Sequence, residues 1–491
     1  MSPLSRRSFL GATLAAGAVA GLAAAGCSTG APPVRSRPPA RPLAIPPLAP
    51  SSTDAGGRRV FALTAAPGTS TFLDGLATPT WGYGGLPFGG PTLRVRRGEE
   101  VVVRVTNRLP ETTTTHWHGM TLPARMDGGP HQPIAPGATW EASWRVDQPA
   151  ATLWYHPHPH GATERHVHRG LSGLVLVVDD VPVALPDRYG VDDVPVVLTD
   201  RSFTRDGAFD EQHRNAVGLL GDTVLVNGTV APYLDVRTTR VRLRVLNASP
   251  ARSYRIGVGS PVTLVGTDGG LLPAPRVVDD VLLTPGERAE IVVDCTPGRR
   301  TVLRSRPDDL GAVNGVAAAA GGADAFDLLE LRPAERLSPS PAVPAVLSRE
   351  APLAAPAEGS TVRRFVLSNN RINGLAMDTT RVDEVVPVGA TETWEFTNRH
   401  TQPHNIHVHD ARLQVLDGPA AGRAWKDTVA VAPGTTVRAL VRVGPYADPE
   451  VPYMLHCHLL RHEDDGMMLQ FLVVGPGQRP ATTIAAGHDH G

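Results

Sequence analysis

One phrase, used three times, constrains this chain more than any other feature. PTLRVRRGEEVVVRVTNRLP (residues 91–110) reads as a strand, a turn and a second strand closing on Thr-Asn. VNGTVAPYLDVRTTRVRLRVLNASP (226–250) repeats the layout and closes on Leu-Asn, and INGLAMDTTRVDEVVPVGATETWEFTNRH (372–400) closes again on Thr-Asn. Each copy is followed by proline, glycine and an alternating strand: APGATWEASWRV (135–146), TPGERAEIVVD (284–294) and APGTTVRALVRV (432–443). Period-two alternation puts apolar side chains on one face of a strand, and strands so patterned with turns between them build two-sheet sandwiches. Three copies predict three related units. We place them at 57–182, 190–335 and 360–476, with a linker at 336–359 and a tail at 477–491. With 47 prolines and 50 glycines in 491 residues, and recurring valine-rich runs, the expected class is all-β with Greek-key sandwiches.

Composition narrows the partners. Lys and Arg (47) nearly balance Asp and Glu (48), for a net charge of −1. That balance gives no electrostatic ground for expecting nucleic acid or an anionic membrane surface. Lys426 is the only lysine and reads as a composition bias without functional content. The chain opens SRRSFLGATLAAGAVAGLAAAGC, where Arg6 and Arg7 precede a small-residue apolar run ending at Cys27. Residues 1–27 therefore read as an export segment of the twin-arginine type, and Cys27 as a candidate lipid anchor. The alternative is cleavage nearby and a soluble product. Either way the expected location is the cell envelope, the periplasm or the extracellular space. Residues 28–56 are Pro-rich and read as a flexible or semi-extended tether. Cys295 reads as a buried, inert thiol at a strand end.

The 18 histidines are unevenly spread. HWHG holds His116 and His118; WYHPHPHG holds His156, His158 and His160; PHNIHVHD holds His404, His407 and His409; HCH holds His456 and His458, with His462 following. On an extended segment, residues i and i+2 project to the same side, so each pair presents two imidazoles to one pocket. His404, Cys457, His462 and Met467 add up to two imidazoles, a thiolate and a weak thioether, the donor set of an electron-transfer copper. Zinc more readily takes four strong ligands. In an extended HCH the cysteine faces one way and its flanking histidines the other, so one strand serves two metal sites. ERHVHRG contributes a fifth His-x-His, His166 and His168, read as solvated side chains or as supports for other groups. His488 and His490 fall in a frayed tail.

At this point the chain resembles the multicopper oxidases, the family of laccases, cuprous oxidases and ascorbate oxidase. The motifs that carry the resemblance are HWHG, HPHPHG, HxxHxH and HCHxxxHxxxxM. The resemblance implies three cupredoxin-like domains and four copper ions. It makes His404, Cys457 and His462 the type 1 ligands, with Met467 axial, and His116 and His407 the type 2 ligands. It assigns His118, His156 and His458 to one type 3 copper, and His158, His409 and His456 to the other. Asp127, in RMDGGP, is similar to an acidic residue near the type 2 copper of bacterial members. Glu463 resembles the residue that helps deliver protons to reduced oxygen. The implied reaction is one-electron oxidation of a phenol, an aromatic amine or Cu(I), coupled to reduction of dioxygen to water by a monomeric exported enzyme.

Three other readings compete. A dedicated cuprous oxidase is possible on the motifs, but the chain has only seven methionines and none in the linker before the third unit; His400 and Gln402 stand where metal-binding residues would help. A copper nitrite reductase is opposed by the three units and by the full histidine set. A non-enzymatic scaffold is opposed by retention of all ten histidines and Cys457.

Overall fold

The two phrases of each repeat pair as neighbouring strands. In the first copy Glu100–Asn107 lies parallel to Arg59–Ser70 and antiparallel to Thr139–Arg145. In the second, Arg240–Asn247 lies between Asp193–Arg201, parallel, and Arg288–Asp294, antiparallel. In the third, Thr391–Asn398 takes the same place between Val362–Ser368 and Thr436–Val443. Between each parallel pair the chain crosses to a second sheet, through Leu93–Arg96, Pro232–Thr238 and Glu384–Pro387 respectively. That crossing is the Greek-key connection. This computed structural model describes residues 40–485, apart from 181, 213, 355, 357–358, 418–421 and 423.

Each pair of sheets encloses its own apolar core. Val103, Trp117, Trp144 and Val175 fill the first; Val236, Leu243, Ile291 and Leu303 the second; Trp394, Phe396, Val441 and Phe471 the third. The architecture is nearly all β and cupredoxin-like, as the repeat predicts. No helix among the described residues is long and apolar enough to cross a membrane.

The asparagine that closes each phrase is a latch. Asn107, Asn247 and Asn398 are fully buried. Asn107 donates to Glu111 O (2.9 Å) and Ile134 O (2.8 Å) and accepts from Leu109 N (2.8 Å). Asn247 donates to Arg252 O (2.7 Å) and Leu283 O (2.9 Å) and accepts from Ser249 N (3.0 Å). Asn398 donates to Gln402 O (2.9 Å) and Val431 O (2.9 Å) and accepts from His400 N (2.8 Å). The Pro-Gly glycine of the second phrase completes the turn. Gly137, Gly286 and Gly434 have φ of 84°, 85° and 71°, and each donates to the carbonyl of its asparagine at 2.7–2.9 Å. A side chain at that φ is strained, which is why glycine recurs there. The latch fixes the loop that leads to His116 in the first repeat and to His404 in the third.

Three expectations change. The Pro-rich segment packs from residue 41 onward: Arg41–Pro42 pairs with Pro232–Tyr233, Leu43 enters the second core, and Ser51–Thr53 pairs with Arg59–Ser70. A few apolar and hydrogen-bonding residues anchor it despite its composition. Cys295 is half-buried, not buried, because it lies just past the end of Arg288–Asp294; burial still pushes its thiol up to about 11. His166 and His168 are both buried and sit on the helix Thr163–His168, so the strand argument for a shared side fails there. His166 bonds Thr113 Oγ1 (3.0 Å) and Glu111 Oε1 (2.7 Å), a supporting role and not a solvated one. Arg6, Arg7, Cys27, His488 and His490 lie outside the described residues.

Candidate metal centres

Strand alternation sorts the donors of the third repeat onto two faces. Cys457 lies opposite Ile406 in the ladder, and His456 opposite His407. Ile406, Val408 and Cys457 belong to the third core, and His404 lies on their side of its strand. His407, His409, His456 and His458 turn the other way. They meet the first repeat, where Trp117 enters its own core and leaves His116 and His118 on the opposite face beside His156. Ten histidines and Cys457 thus gather into four buried groups.

The first group is inside the third sandwich. Cys457 Sγ lies 3.5 Å from His404 Nδ1 and 3.7 Å from His462 Nδ1, and the two Nδ1 atoms are 3.1 Å apart. The short helix Leu460–Asp464 brings His462 back over the cysteine. His462 Nε2 donates to Ala216 O (3.0 Å), which leaves Nδ1 as a lone pair aimed at the thiol. His404 Nε2 is bonded to Nδ1 of His400 (3.0 Å), a half-buried ring. Met467 is fully buried in the same core, and its carbonyl accepts from Cys457 N (3.0 Å). Met468 stands opposite His456 in the ladder. Burial, against opposing hydrogen bonds from the Leu459 and Asn405 backbone, pushes the Cys457 thiol up to about 12. A coordinated cation is what ionises a thiol in such surroundings.

In the second group, His158 Nε2 and His409 Nε2 each lie 3.2 Å from His456 Nε2. Two of the other three nitrogens are committed. His409 Nδ1 donates to Asp127 Oδ2 (2.7 Å), and His456 Nδ1 to Cys457 O (3.1 Å). Glu463 approaches His456 Nδ1 at 3.2 Å and His158 Nδ1 at 3.4 Å. The lone pairs of His409 and His456 therefore face each other in a dry space beside His158 Nε2, an arrangement that a cation makes favourable. Nitrogens bound tetrahedrally at about 2.0–2.1 Å would lie about 3.3 Å apart, close to the spacing seen.

The third and fourth groups are His118 with His156 and His458, and His116 with His118 and His407. His156 Nδ1 donates to Pro157 O (2.8 Å), His116 Nδ1 to Asp127 O (2.9 Å) and His407 Nδ1 to Asp427 O (2.9 Å). His118 Nε2 donates to Asp427 Oδ1 (3.1 Å). The remaining atoms, His116 Nε2, His118 Nδ1, His156 Nε2, His407 Nε2 and both nitrogens of His458, have no hydrogen-bonding partner among the described residues. Burial first, and neighbouring imidazoles second, push His118, His156, His404, His407, His409 and His458 well below the usual histidine range. They are neutral near pH 7, the state that binds a metal.

The two acidic residues singled out in the sequence both reach this region. Asp127 is buried and bridges His116 and His409 through its carbonyl and its carboxylate. Its neighbour Gly128 packs against Thr115, whose carbonyl a Cβ would meet at 1.8 Å. Glu463 is buried between His158 and His456. Burial would raise its carboxyl, but those two histidines hold it well below the usual carboxylate range. His160 is exposed and belongs to no donor group.

Sequence reasoning missed Asp427, Thr428 and Asn405. Thr428 Oγ1 lies 3.1 Å from His118 Nε2, and Asn405 Oδ1 accepts from His458 N at 3.0 Å. Asn405 had a signal, since it sits inside the histidine motif. Asp427 had none, being 309 residues from His118.

The donor chemistry fits copper: imidazoles throughout, one thiolate, and a buried thioether close by in sequence. Comparison agrees. Residues 64–181 and 350–476 match family profiles described as multicopper oxidase. The chain is 33% identical over 442 residues to multicopper oxidase mco of Staphylococcus haemolyticus, spanning 88% of this chain and 92% of that one. It is 34% identical over 490 residues to cell division protein FtsP of Dickeya dadantii, spanning 96% and 98%. Among solved structures, a laccase from Pediococcus acidilactici matches with a TM-score of 0.80 at 34% identity, over 88% of this chain and 94% of that one. By its fold, its donor set and these relatives, the chain belongs to the multicopper oxidase family.

Proposed function

We propose that the chain is an exported, laccase-like oxidase holding four coppers, and that it oxidises phenols or aromatic amines with dioxygen as acceptor. The observation that carries this reading is the complete, buried donor set: ten histidines and Cys457 in four groups. Copper held there supplies one-electron redox chemistry and reduction of dioxygen to water.

The chain's own residues do the rest. Cys457 and His456/His458 are consecutive in one strand, so a few covalent bonds join the thiolate group to the dioxygen-facing groups. His462 is capped by Ala216, whereas His404 is bonded outward to half-buried His400. A donor therefore meets the thiolate group most directly over His400. The cavity beside His404 is only about 20 Å³, lined by Val217, Leu310, Pro403 and Leu459 among others, which supports surface contact and not deep binding. Glu463 and Asp127 are placed to hold and pass protons beside the dioxygen-facing imidazoles.

One relative supports this choice of donor: the laccase-like oxidase CueO from Ochrobactrum sp., 33% identical with a TM-score of 0.77, over 88% of this chain and 100% of that one, is described as active on lignin model compounds. Export by the twin-arginine route, anchoring at Cys27 and a monomeric state belong to the same proposal, the first two resting on the N-terminal sequence. A second reading, a role in cell division, draws on the similarity to FtsP over 96% of the chain.

The deciding experiment measures dioxygen uptake by the copper-loaded chain with a phenol and with Cu(I), with and without added Cu(II). Phenol turnover independent of added copper supports the laccase-like reading. Strict dependence on added copper shifts the assignment to cuprous oxidase, and no uptake with either donor refutes both.

A further inference from the structure

The middle repeat supplies none of the ten histidines, yet it reaches the dioxygen-facing groups through one side chain. Arg288 is fully buried, and all five of its N–H groups have acceptors. Nε donates to Thr152 O (3.0 Å), Nη1 to Gly286 O (2.9 Å), and Nη2 to Asp268 O (2.9 Å). The other two form a fork on Asp427, at 2.8 Å to Oδ1 and 2.6 Å to Oδ2. Such a fork fixes both the position and the plane of a carboxylate.

Asp427 then touches two imidazoles from different repeats. Its Oδ1 accepts from His118 Nε2 and its backbone carbonyl from His407 Nδ1. Those bonds decide which nitrogen of each ring is left for a metal: Nδ1 of His118 and Nε2 of His407. Beside this pair lies Lys426, the only lysine of the chain. It is buried, with Nζ on Glu287 Oε1 (2.6 Å) and Asp268 Oδ2 (2.8 Å). Lys426 is shared by these two carboxylates of the middle repeat, while both carboxylate oxygens of Asp427 face the guanidinium.

We propose that Arg288 is a positioning residue for the dioxygen-facing donors: it clamps Asp427, which holds His407 on the type 2 side and its neighbour His118 in the tautomers and orientations that metal binding requires. The inference rests on the copper reading above.

Its test uses full-length, copper-loaded protein carrying Arg288→Lys, which keeps the charge and loses the fork, or Asp427→Asn, which keeps the shape and loses the charge. Arg252→Lys is the control, because it loosens another buried ion network, with Asp200 and Asp324, that bonds no donor histidine. The readouts are the hyperfine splitting and intensity of the type 2 Cu(II) electron paramagnetic resonance signal, the type 1 signal and the melting temperature. In Arg288→Lys and Asp427→Asn the type 2 signal should change its splitting or lose at least about half its intensity, with the type 1 signal unmoved. Arg252→Lys should lower the melting temperature with neither signal altered. Should Arg288→Lys fail to fold, Asp427→Asn carries the same comparison. An unchanged type 2 signal in the folded variants, or an equal change in Arg252→Lys, overturns the proposal. A wild-type chain with no type 2 signal overturns the copper reading as well; a normal wild-type signal beside unmoved variants overturns this inference alone.

Discussion

The asparagine latch gives a prediction that compares one repeat with another. Asn398→Ala removes three buried hydrogen bonds, to Gln402 O, Val431 O and His400 N. Each is worth about 1 kcal/mol net, and buried groups left without partners cost about 1–3 kcal/mol more, so the total is about 4–6 kcal/mol. Asn247→Ala removes the same three bonds in the middle repeat, at 2.7–3.0 Å, and should cost the same to within about 1 kcal/mol. Hydrogen exchange reads each site separately. A loss of about 4 kcal/mol speeds local opening by about 10³-fold in the peptides around residue 398 or 247. The consequences then diverge. The Asn398 loop carries His400 and leads to His404, so Asn398→Ala should weaken the blue absorption of the copper-loaded chain, while Asn247→Ala should leave it intact. Acceleration of less than about fivefold at either asparagine would refute the latch. Bleaching by Asn247→Ala would refute its local connection to the thiolate group.

Cys457→Ser should abolish the blue colour and nearly all turnover while type 2 copper is retained; phenol oxidation at the wild-type rate would show that electrons do not pass through this residue. Asp127→Asn and Glu463→Gln should each slow reoxidation by dioxygen about 10²-fold or more, with the rate of blue-colour loss on anaerobic reduction unchanged, as expected where a proton carrier is lost. For the metal-free chain, pH acts through nine histidines held well below 6.5. The unfolded chain takes up these protons first as pH falls past about 6.5, so stability is complete above that value and is lost below it. Each such histidine contributes about 1.4 kcal/mol per pH unit, and one unit of acidification therefore removes much of an ordinary domain's stability. Melting temperatures at pH 7.5, 6.5 and 5.5 test this, and a flat profile would contradict the burial of neutral imidazoles.

Most donors were legible in the sequence because they lie on strands or just past their ends. A period of two places His456 and His458 on one face and Cys457 on the other without any knowledge of the tertiary structure. The same rule fails at His166 and His168 because six residues of helix carry too little periodicity to announce themselves. The packed Pro-rich start was hidden for a related reason: Leu43 is a single buried side chain among prolines, and composition averages over it. Lys426 is the clearest loss. Its rarity was visible, but its meaning depends on Glu287, 139 residues away, and no local pattern reports such a contact. The latch asparagines fall between these cases. Their recurrence marked the strand ends, but the carbonyls they satisfy become visible only when the second phrase of each repeat folds back onto the first.

Similarity alone does not choose between the two kinds of relative, since an oxidase and a cell division protein match at 33% and 34% identity. The physical chemistry of the interior favours metal binding. A fold of this kind is stabilised by apolar packing and satisfied polar groups, and a sandwich interface without metal would hold aliphatic side chains at low cost. Here six unpartnered ring nitrogens are buried between the repeats, beside His456 Nε2, which lies 3.2 Å from both His158 Nε2 and His409 Nε2. Around them carbonyls and carboxylates accept from the opposite nitrogen of His116, His118, His156, His407 and His409, which holds each ring to one tautomer. That second layer has no structural use unless the free nitrogens have something to bind. A scaffold would need the sandwiches and the latches, but it would not need Asp427 bonded to both His118 and His407, or Asp127 bonded to both His116 and His409. Metal binding is therefore supported less by the histidines themselves than by the residues that orient them.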